Sequence, residues 1–460
     1  MTNFLKDKIL IYFGLAFLPF YFLIAWVFNC IDHSLDLLTH IQRTVWFYWP
    51  ATGALLAIYI IYFALHSNFF RIKDSHRTLK IVVIFSFIFV AIMFFAVPAP
   101  QEDFYHYFFE DVVLAKYHLN PFIITPNDLP AEPLSQLSFW QDLPTQHGPF
   151  RFFLTAPIAF LSHNSIVLGI FWYKILFSLF FFASGFLIYR ILTILKAADR
   201  LFALTLFLWN PLIIYETLVG GGTDILMVFW LLLGIYFLAQ NKFNSAIVSL
   251  TLSVLIKYVT VIFIPFFIAF IFFNQPNWWK KIIVLAGNIF LISATTVLLF
   301  WPFWDGWQVF TGISQVAGEF HINSFPAILS FPFFVTGLPV DLITIKYIFE
   351  FLFAVVYLIL FFLFLKSPKT DLKNLIYYSS IALLSFLFLA KFWFYSKYLI
   401  WLLPLLLLNN RRLYPLAILL TGLIIFSPLK DLGVLFVFSL VPAILVFVFD
   451  KYLIKKHQLI

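Results

Sequence analysis

Charged residues are scarce in this sequence. Only 11% of the 460 residues are charged, whereas 63% are hydrophobic. A soluble globular domain carries roughly 25% charged residues, so the composition excludes that class. Apolar runs of about 20 residues, the length that a helix needs to cross a bilayer, recur without the alternating polarity of a membrane β-strand. We therefore predict an all-α, polytopic helix bundle that forms one integral membrane domain over residues 1–460.

The sequence has a single cysteine and no nucleotide-binding motif. Cys30 is the only cysteine, which excludes an intrachain disulfide and a cysteine-based metal site. No Walker or GxGxxG signature occurs and the loops between apolar runs are short, so ATP-driven transport within this chain is disfavoured. The first apolar run follows basic residues but lacks a small-x-small cleavage site, which predicts a retained first helix.

The basic residues that are present indicate the topology. They occur in short clusters between apolar runs, whereas residues 101–148 carry seven acidic side chains against one lysine, Lys116. Because basic loops face the cytoplasm, we expect both termini there and residues 101–148 outside the cytoplasmic membrane. The formal charge of +8 then follows from topology, and no nucleic-acid partner is expected.

The apolar runs thread through the membrane consistently with this charge pattern. The segment 150–161 is apolar but too short to span, so we expect a re-entrant or interfacial helix inside a first external loop at 99–164. A second external loop is expected at 303–340. The predicted crossings, about 11–14 in number, lie near 9–28, 45–65, 80–98, 165–190, 201–217, 223–240, 244–257, 258–273, 280–302, 342–365, 374–391, 398–409, 412–427 and 432–450.

This threading collects polar residues at the external end of the bundle. Glu102 and Asp103 stand side by side there, and Lys257 falls at the outer end of its helix. Such convergence beside an apolar bundle is what a site for a lipid-linked substrate requires. The same face receives residues from several other distant segments: Glu216, Asp224, His321, Lys391 and Lys397.

Three stretches carry motifs in a fixed order. The first, "EDFYHYFFEDVVLAKYHLNPFIITP", has an acidic pair, aromatic residues and an Asn-Pro dipeptide. The second, "PTQHGPFRFFLTAPIAFL", contains a His-Gly-Pro turn. The third, "LWNPLIIYETLVGGGTDILM", has Asn-Pro-Leu, a glutamate and a glycine run before Asp224 and precedes the helix that bears Lys257.

Together these stretches resemble the GT-C superfamily of polyprenyl-phosphate-sugar-dependent glycosyltransferases, over residues 80–270. They are most similar to bacterial polyprenol-phosphate-mannose-dependent mannosyltransferases, whose motifs are G-x-N-P-Y, P-x-x-Y-G-P-L and N-P-L…E…G-G-H-N-D. Here Phe122 and His147 each stand where Tyr is usual, and Gly222-Thr223 replaces His-Asn. The resemblance implies a GT-C bundle with a large first external loop.

The resemblance also implies an activity. A hexose, with mannose favoured, would pass from a polyprenyl-phosphate donor to an envelope glycan or lipid acceptor outside the membrane, with inversion and without a required metal or other cofactor. Asp103 matches the catalytic acid of the family's loop and would act as general base. Glu102 would orient the acceptor or raise the pKa of its neighbour. The available cations for the leaving phosphate are Lys257, Arg151, Lys391 and Lys397.

The remaining candidate residues each have a structural alternative. Glu216 ends an apolar run, where a carboxylate is a functional candidate. Asp224 contacts substrate or, at a helix start, only favours the helix dipole. His147 contacts substrate or is only part of a turn, and Tyr395 stacks on a sugar or belongs to the interfacial aromatic belt. His321 is a further candidate in the second external loop.

Two other functions fit the same polar face. A transporter or flippase for lipid-linked saccharides would place polar residues near the bilayer midplane, often in inverted repeats. No convincing inverted repeat is visible, and the polar groups collect at one face, which favours an enzyme. A scaffold subunit of an envelope complex would give Glu102 and Asp103 no purpose.

Overall fold

The computed structural model describes residues 3–30, 37–66, 74–98, 103–163, 165–318, 342–367, 371–392, 394–409 and 411–426, with single residues at 324 and 326. These residues form helices and contain no β-strand, which confirms the predicted all-α class. Glu102 and His321, the expected crossing 432–450 and much of the expected loop 303–340 lie outside the described residues.

The α-helices are numbered here in chain order. The first nine are α1 (Asn3–Cys30), α2 (Leu37–His66), α3 (His76–Phe94), α4 (Asp103–Ala115), α5 (Pro133–Leu137), α6 (Phe150–Leu161), α7 (Ile166–Ile194), α8 (Arg200–Leu208) and α9 (Pro211–Leu218). The others are α10 (Thr223–Ala239), α11 (Phe243–Val254), α12 (Ile264–Phe273), α13 (Trp278–Phe300), α14 (Thr311–Gly318), α15 (Leu342–Lys366), α16 (Leu372–Ser385), α17 (Leu399–Leu408) and α18 (Tyr414–Thr421). Short 3-10 turns separate some of them, among them Tyr258–Phe263 and Ser396–Tyr398.

Long apolar helices make the described chain a polytopic membrane bundle. Seven of its helices are long and apolar enough to cross a membrane, and the bent pair α8–α9 brings the number to eight. Helices α10, α11, α12, α17 and α18 coincide with predicted crossings but are shorter than a full span. Helix α6 has 12 residues, so the segment 150–161 is helical and too short to span, as expected.

The break between α8 and α9 follows from the dipeptide Asn210-Pro211. Proline has no backbone N–H for the preceding helix and stands at the first position of α9, where none is needed. Asn210 caps α9 by accepting from the Ile213 backbone N–H at 3.1 Å. Its Nδ2 also donates to Tyr62 of α2 and Thr421 of α18, at 3.1 and 2.8 Å. The two helices therefore meet at 43°, and one amide joins three parts of the chain.

Helix α13 shows how the bundle meets the bilayer. Trp278 and Trp279 are exposed at its start, and Trp301 and Trp304 are exposed just beyond its end. At 1.5 Å per residue the two pairs are roughly 35 Å apart, close to the thickness of a bilayer core. Tryptophan is favoured at both membrane interfaces, so this spacing supports a full crossing by α13.

Lysine 174 fixes the point at which the chain leaves α3 for α4. The residue is buried in α7, and its ammonium donates to the backbone oxygens of Met93 and Phe94, at 3.2 and 3.1 Å, and to that of Ala96. Carbonyls at the end of a helix lack donors from a following turn, and here Met93 also accepts from the Ala96 backbone N–H at 3.2 Å. The cation from α7 therefore terminates α3 and anchors the connection that leads to Asp103.

Candidate active site

Asp103 begins α4, where a negative charge is favoured by the positive end of the helix dipole. Its Oδ2 accepts a hydrogen bond from the Tyr107 hydroxyl at 3.0 Å, one turn further along the same helix. Its Oδ1 accepts from the Trp140 indole N–H at 3.2 Å. The ammonium of Lys397 forms an ion pair with the carboxylate. The side chain is 14% exposed, so it is fixed by three donors and still reachable.

A second carboxylate lies in the same cluster. Asp224, in the first turn of α10, accepts from the Lys257 ammonium at 2.7 Å and from the Trp401 indole N–H at 2.6 Å, both at Oδ1. Lys257 stands between α11 and the 3-10 turn that follows, and its side chain is 17% exposed. The first turn of α10, the segment after α11 and the first turn of α17 therefore meet at the carboxylate of Asp224.

The two carboxylates are connected through the ring of Tyr398. The Nζ atoms of Lys257, Lys391 and Lys397 lie 5.6, 4.9 and 5.7 Å from the ring centroid. Ammonium groups at this distance are attracted by the face of an aromatic ring. Three cations thus surround one ring and face two carboxylates, so the cluster has an excess of positive charge when all five groups are ionised.

Lys391 differs from the other two lysines. It follows the span Leu372–Ala390 directly, and its ammonium makes no ion pair with any described residue. Burial lowers its pKa to about 7, and the neighbouring charges of Lys257 and Lys397 act in the same direction. Lys391 is therefore the cation in this cluster that gains most from an added anion.

The glycine run before Asp224 brings the two carboxylate-bearing segments together. Gly221 and Gly222 have φ angles of 115° and 66°, which other residues rarely adopt. A Cβ at Gly222 would lie 2.2 Å from a carbon of the Phe177 ring. A Cβ at Gly221 would lie 4.0 Å from that of Asp103. The run therefore permits both the turn into α10 and close approach to the start of α4.

Glu216 belongs to the same structural unit. It is buried near the end of α9, and its Oε1 accepts from the Ser396 hydroxyl at 2.8 Å. Ser396 directly precedes Lys397, which pairs with Asp103. The segment before α17 is thus attached to α9 by one residue and to α4 by the next. Tyr395 completes this segment, with its ring 5.4 Å from the Lys397 ammonium.

Arg151 lies in α6, within the expected loop 99–164, and not in this cluster. It is fully buried in α6, forms an ion pair with Glu110 and contacts Asp111 at 3.3 Å. Asp111 also accepts from the Tyr173 and Thr155 hydroxyls, the latter at 2.8 Å. Burial raises the pKa of Asp111 to about 6, against the opposing effect of Arg151. The charge of Arg151 is thus paired with carboxylates of the protein, whereas the sequence predicted Arg151 as a cation for the leaving phosphate.

His147 lies beside Tyr107, whose hydroxyl binds Asp103. Its ring meets the Tyr107 ring edge-on at 4.7 Å between centroids. The side chain is buried, and burial, followed by the charges of Lys257 and Arg151, lowers its pKa well below the usual value. The imidazole is therefore neutral near pH 7.

The structure adds contacts that sequence reasoning missed: Tyr107 and Trp140 at Asp103, Trp401 at Asp224 and Ser396 at Glu216. The four-residue spacing of Asp103 and Tyr107 within a helix was a usable signal. Trp140, Trp401 and Ser396 carried no such signal. Aromatic residues make up 22% of the chain, so neither tryptophan stands out.

A membrane helix bundle whose helix ends gather carboxylates, lysines and aromatic rings offers the groups that a membrane glycosyltransferase needs. Comparison with protein families identifies which kind. Residues 20–273, more than half of the chain, match the family described as alpha-(1->6)-mannopyranosyltransferase, N-terminal domain. The chain belongs to this MptA_B family and is a mannosyltransferase, which confirms the resemblance drawn from its motifs. No curated protein matches the chain.

Proposed function

We propose that the protein transfers mannose from a polyprenyl-phosphate donor to a glycan or lipid acceptor of the cell envelope, at the external face of the cytoplasmic membrane. The observation that carries this proposal is the ion pair of Asp103 with Lys397, one of three lysines near the ring of Tyr398. A base for the acceptor and cations for a leaving phosphate are the two things that such a transfer needs.

Asp103 is the proposed general base. Its carboxylate takes the proton of the acceptor hydroxyl while the acceptor oxygen bonds to the anomeric carbon. Tyr107 and Trp140 hold the two carboxylate oxygens, which fixes their direction. Orientation of this kind converts binding energy into rate, because the reacting atoms are already aligned. Glu102, next in sequence, is proposed to orient the acceptor.

The lysines are proposed to receive the leaving group. As the bond between the anomeric carbon and the phosphate oxygen breaks, the electron pair passes to the polyprenyl phosphate. Lys391 has no described anionic partner, and Lys257 and Lys397 are near the same ring. Fixed cations at a developing charge lower the barrier without reorganisation. One displacement forms and breaks one bond each, so the configuration at the anomeric carbon inverts.

We propose roles for the other predicted residues from the same geometry. Asp224 holds Lys257 and Trp401 in position. Glu216 positions the Ser396–Lys397 segment, and Tyr395 forms an aromatic wall beside Lys397. Arg151 acts through its neighbours, since its guanidinium lies over the Tyr107 ring at 5.6 Å. His321 stays a prediction for substrate binding.

Transfer assays with purified protein test the proposed donor. In proteoliposomes, the protein is given a mannosyl acceptor together with either polyprenyl-phosphate mannose or a nucleotide-linked mannose. We expect product only with the lipid-linked donor, and with inverted configuration. Transfer from the nucleotide sugar alone would refute the donor assignment. Movement of intact lipid-linked mannose across the bilayer without transfer would instead support the flippase alternative.

A further inference from the structure

The backbone around His147 is held by several hydrogen bonds. Its N–H donates to Thr145 Oγ1 at 3.2 Å, and its carbonyl accepts from the Tyr258 hydroxyl at 3.3 Å. The next residue, Gly148, donates to the Ile256 carbonyl at 3.1 Å. A Cβ at Gly148 would lie only 2.1 Å from the Leu255 carbonyl oxygen, so the loop is pressed against this segment. The backbone that carries the imidazole is therefore held by the protein itself.

The ring itself has no polar partner. The residue is 1% exposed, and neither Nδ1 nor Nε2 has a hydrogen-bond partner among the described residues. Buried side-chain nitrogens are nearly always hydrogen-bonded, so an imidazole with two free nitrogens requires a reason. Among the described residues, both nitrogens are therefore available to a ligand that binds beside the ring.

The surroundings indicate which part of the substrate this is. On one side, the Tyr107 ring contacts His147 and its hydroxyl binds Asp103. On the other side, the residues bonded to the His147 loop directly precede Lys257. The base attracts the acceptor hydroxyl and the lysines attract the phosphate. The sugar that links the two therefore lies between the base and the lysines, and the Tyr107 contact and the loop hydrogen bonds bring His147 close to both.

We propose that the imidazole of His147 binds a hydroxyl group of the mannosyl residue that is being transferred, and that it contributes to the choice of sugar. A neutral imidazole offers one N–H donor and one nitrogen acceptor, and a hydroxyl can complete either. The low basicity of this ring fits a binding role and not proton transfer. This inference rests on the proposed function, since it assumes the lipid-linked mannose donor.

A double-mutant cycle between protein and donor tests the proposal. Polyprenyl-phosphate donors that lack the 2-, 3-, 4- or 6-hydroxyl of mannose are compared with the intact donor, in the wild type and in His147→Phe. We expect His147→Phe to lower kcat/KM for intact mannose about tenfold, the effect of one neutral hydrogen bond. One deoxy donor should lose about tenfold in the wild type and almost nothing in the variant.

The controls separate binding from folding. His76→Phe makes the same substitution at an exposed histidine at the start of α3, and every deoxy penalty should equal that of the wild type. His147→Gln keeps a donor and an acceptor and should recover part of the lost activity. If His147→Phe does not fold, as judged by thermal denaturation, the cycle is run with His147→Leu, which also removes both ring nitrogens.

Each alternative has its own signature. If all four deoxy penalties are unchanged in His147→Phe, the ring binds only water and the proposal is wrong. If the coupling occurs with deoxy acceptors and not with deoxy donors, the assignment to the transferred sugar is overturned. Failure of the wild type to use any lipid-linked donor would reject the proposed function itself.

Discussion

The ammonium of Lys397 pairs with the carboxylate of Asp103 although 294 positions separate them. The same carboxylate is held by Tyr107 from its own helix and by Trp140 from the following loop. The C-terminal part of the chain thus places a cation directly on the proposed base.

Asp103→Asn should abolish transfer while leaving donor binding intact. Asparagine keeps the shape and can still accept hydrogen bonds, but it cannot take the acceptor proton. A general base contributes about 10²–10⁴-fold to a rate, so kcat should fall by at least about a hundredfold. Asp142→Asn, at an exposed aspartate of the same loop, is the matched control. An Asp103→Asn enzyme as fast as the wild type would remove Asp103 from the mechanism.

Donor binding should weaken as the pH rises through about 7. The charge of a phosphodiester donor is constant in this range, whereas Lys391, with a pKa of about 7, loses its proton. The site is therefore more cationic below this pH and less so above it, and KM for the donor should rise between pH 6 and pH 8. The initial-rate pH profile of the wild type measures this directly.

Variants of Lys391 identify the titrating group. Lys391→Arg stays charged throughout, because arginine does not lose its proton in this range, and should flatten the profile. Lys391→Gln should raise KM about tenfold at pH 6 and also flatten it. Lys373→Gln, an exposed lysine at the start of the same helix, should behave as the wild type. A Lys391→Gln profile with the wild-type slope would assign the titration to another group.

Gly222→Ala should destabilise the protein and reduce its activity. The new Cβ would overlap the Phe177 ring and force an unfavourable backbone angle, at a combined cost of about 2 kcal/mol or more. Gly287→Ala makes the same change in α13, where nothing lies within 4 Å of the added Cβ. In a helix interior this substitution stabilises by about 0.5–1 kcal/mol. Equal melting temperatures for the two variants would contradict the structure of the glycine run.

Arg151→Leu should be strongly destabilising. It leaves the buried carboxylates of Glu110 and Asp111 without a cation, at a cost of about 3–5 kcal/mol. Adding Glu110→Gln and Asp111→Asn removes both charges and should restore part of the melting temperature. The control is Arg190→Leu, at an exposed arginine of α7, which should have little effect. Full stability of Arg151→Leu alone would show that the cluster does not support the loop.

Labelling of single cysteines should show that the loop after α4 is external. Cys30 is first replaced by Ser, which leaves a cysteine-free chain. Ala131→Cys and Ala198→Cys then place the same residue at two exposed positions, one in this loop and one between α7 and α8. An impermeant maleimide should label Ala131→Cys in intact cells and Ala198→Cys only after permeabilisation. The reverse pattern would put the proposed active site in the cytoplasm.

Much of the fold was predictable from the sequence, because apolar length alone determines where a chain can cross a membrane. The segment 201–217 was predicted as one crossing and is broken at Asn210-Pro211. That dipeptide is a known break signal and could have been used. The predicted crossings at 244–257 and 258–273 are separate helices as expected, but each is too short for a full span.

The sequence predicted which residues lie in the site better than which of them contact each other. Charge pattern and motifs brought Asp103, Asp224, Lys257 and Lys397 to one end of the bundle, where the structure places them together. Which lysine meets which aspartate depends on helix rotation and depth, and neither is encoded in local sequence. The role of Arg151 was missed for the same reason, since its partners lie on α4, 40 and 41 positions away.

The ion pairs also limit where the chain can be truncated without loss of the site. The family match ends at residue 273, yet the cation that pairs with Asp103 and the indole that binds Asp224 come from residues 397 and 401. A fragment cut at this boundary would keep both carboxylates and Lys257 but lose Lys391 and Lys397. The shortest piece that keeps both ion pairs is thus longer than the matched family domain and includes the start of α17.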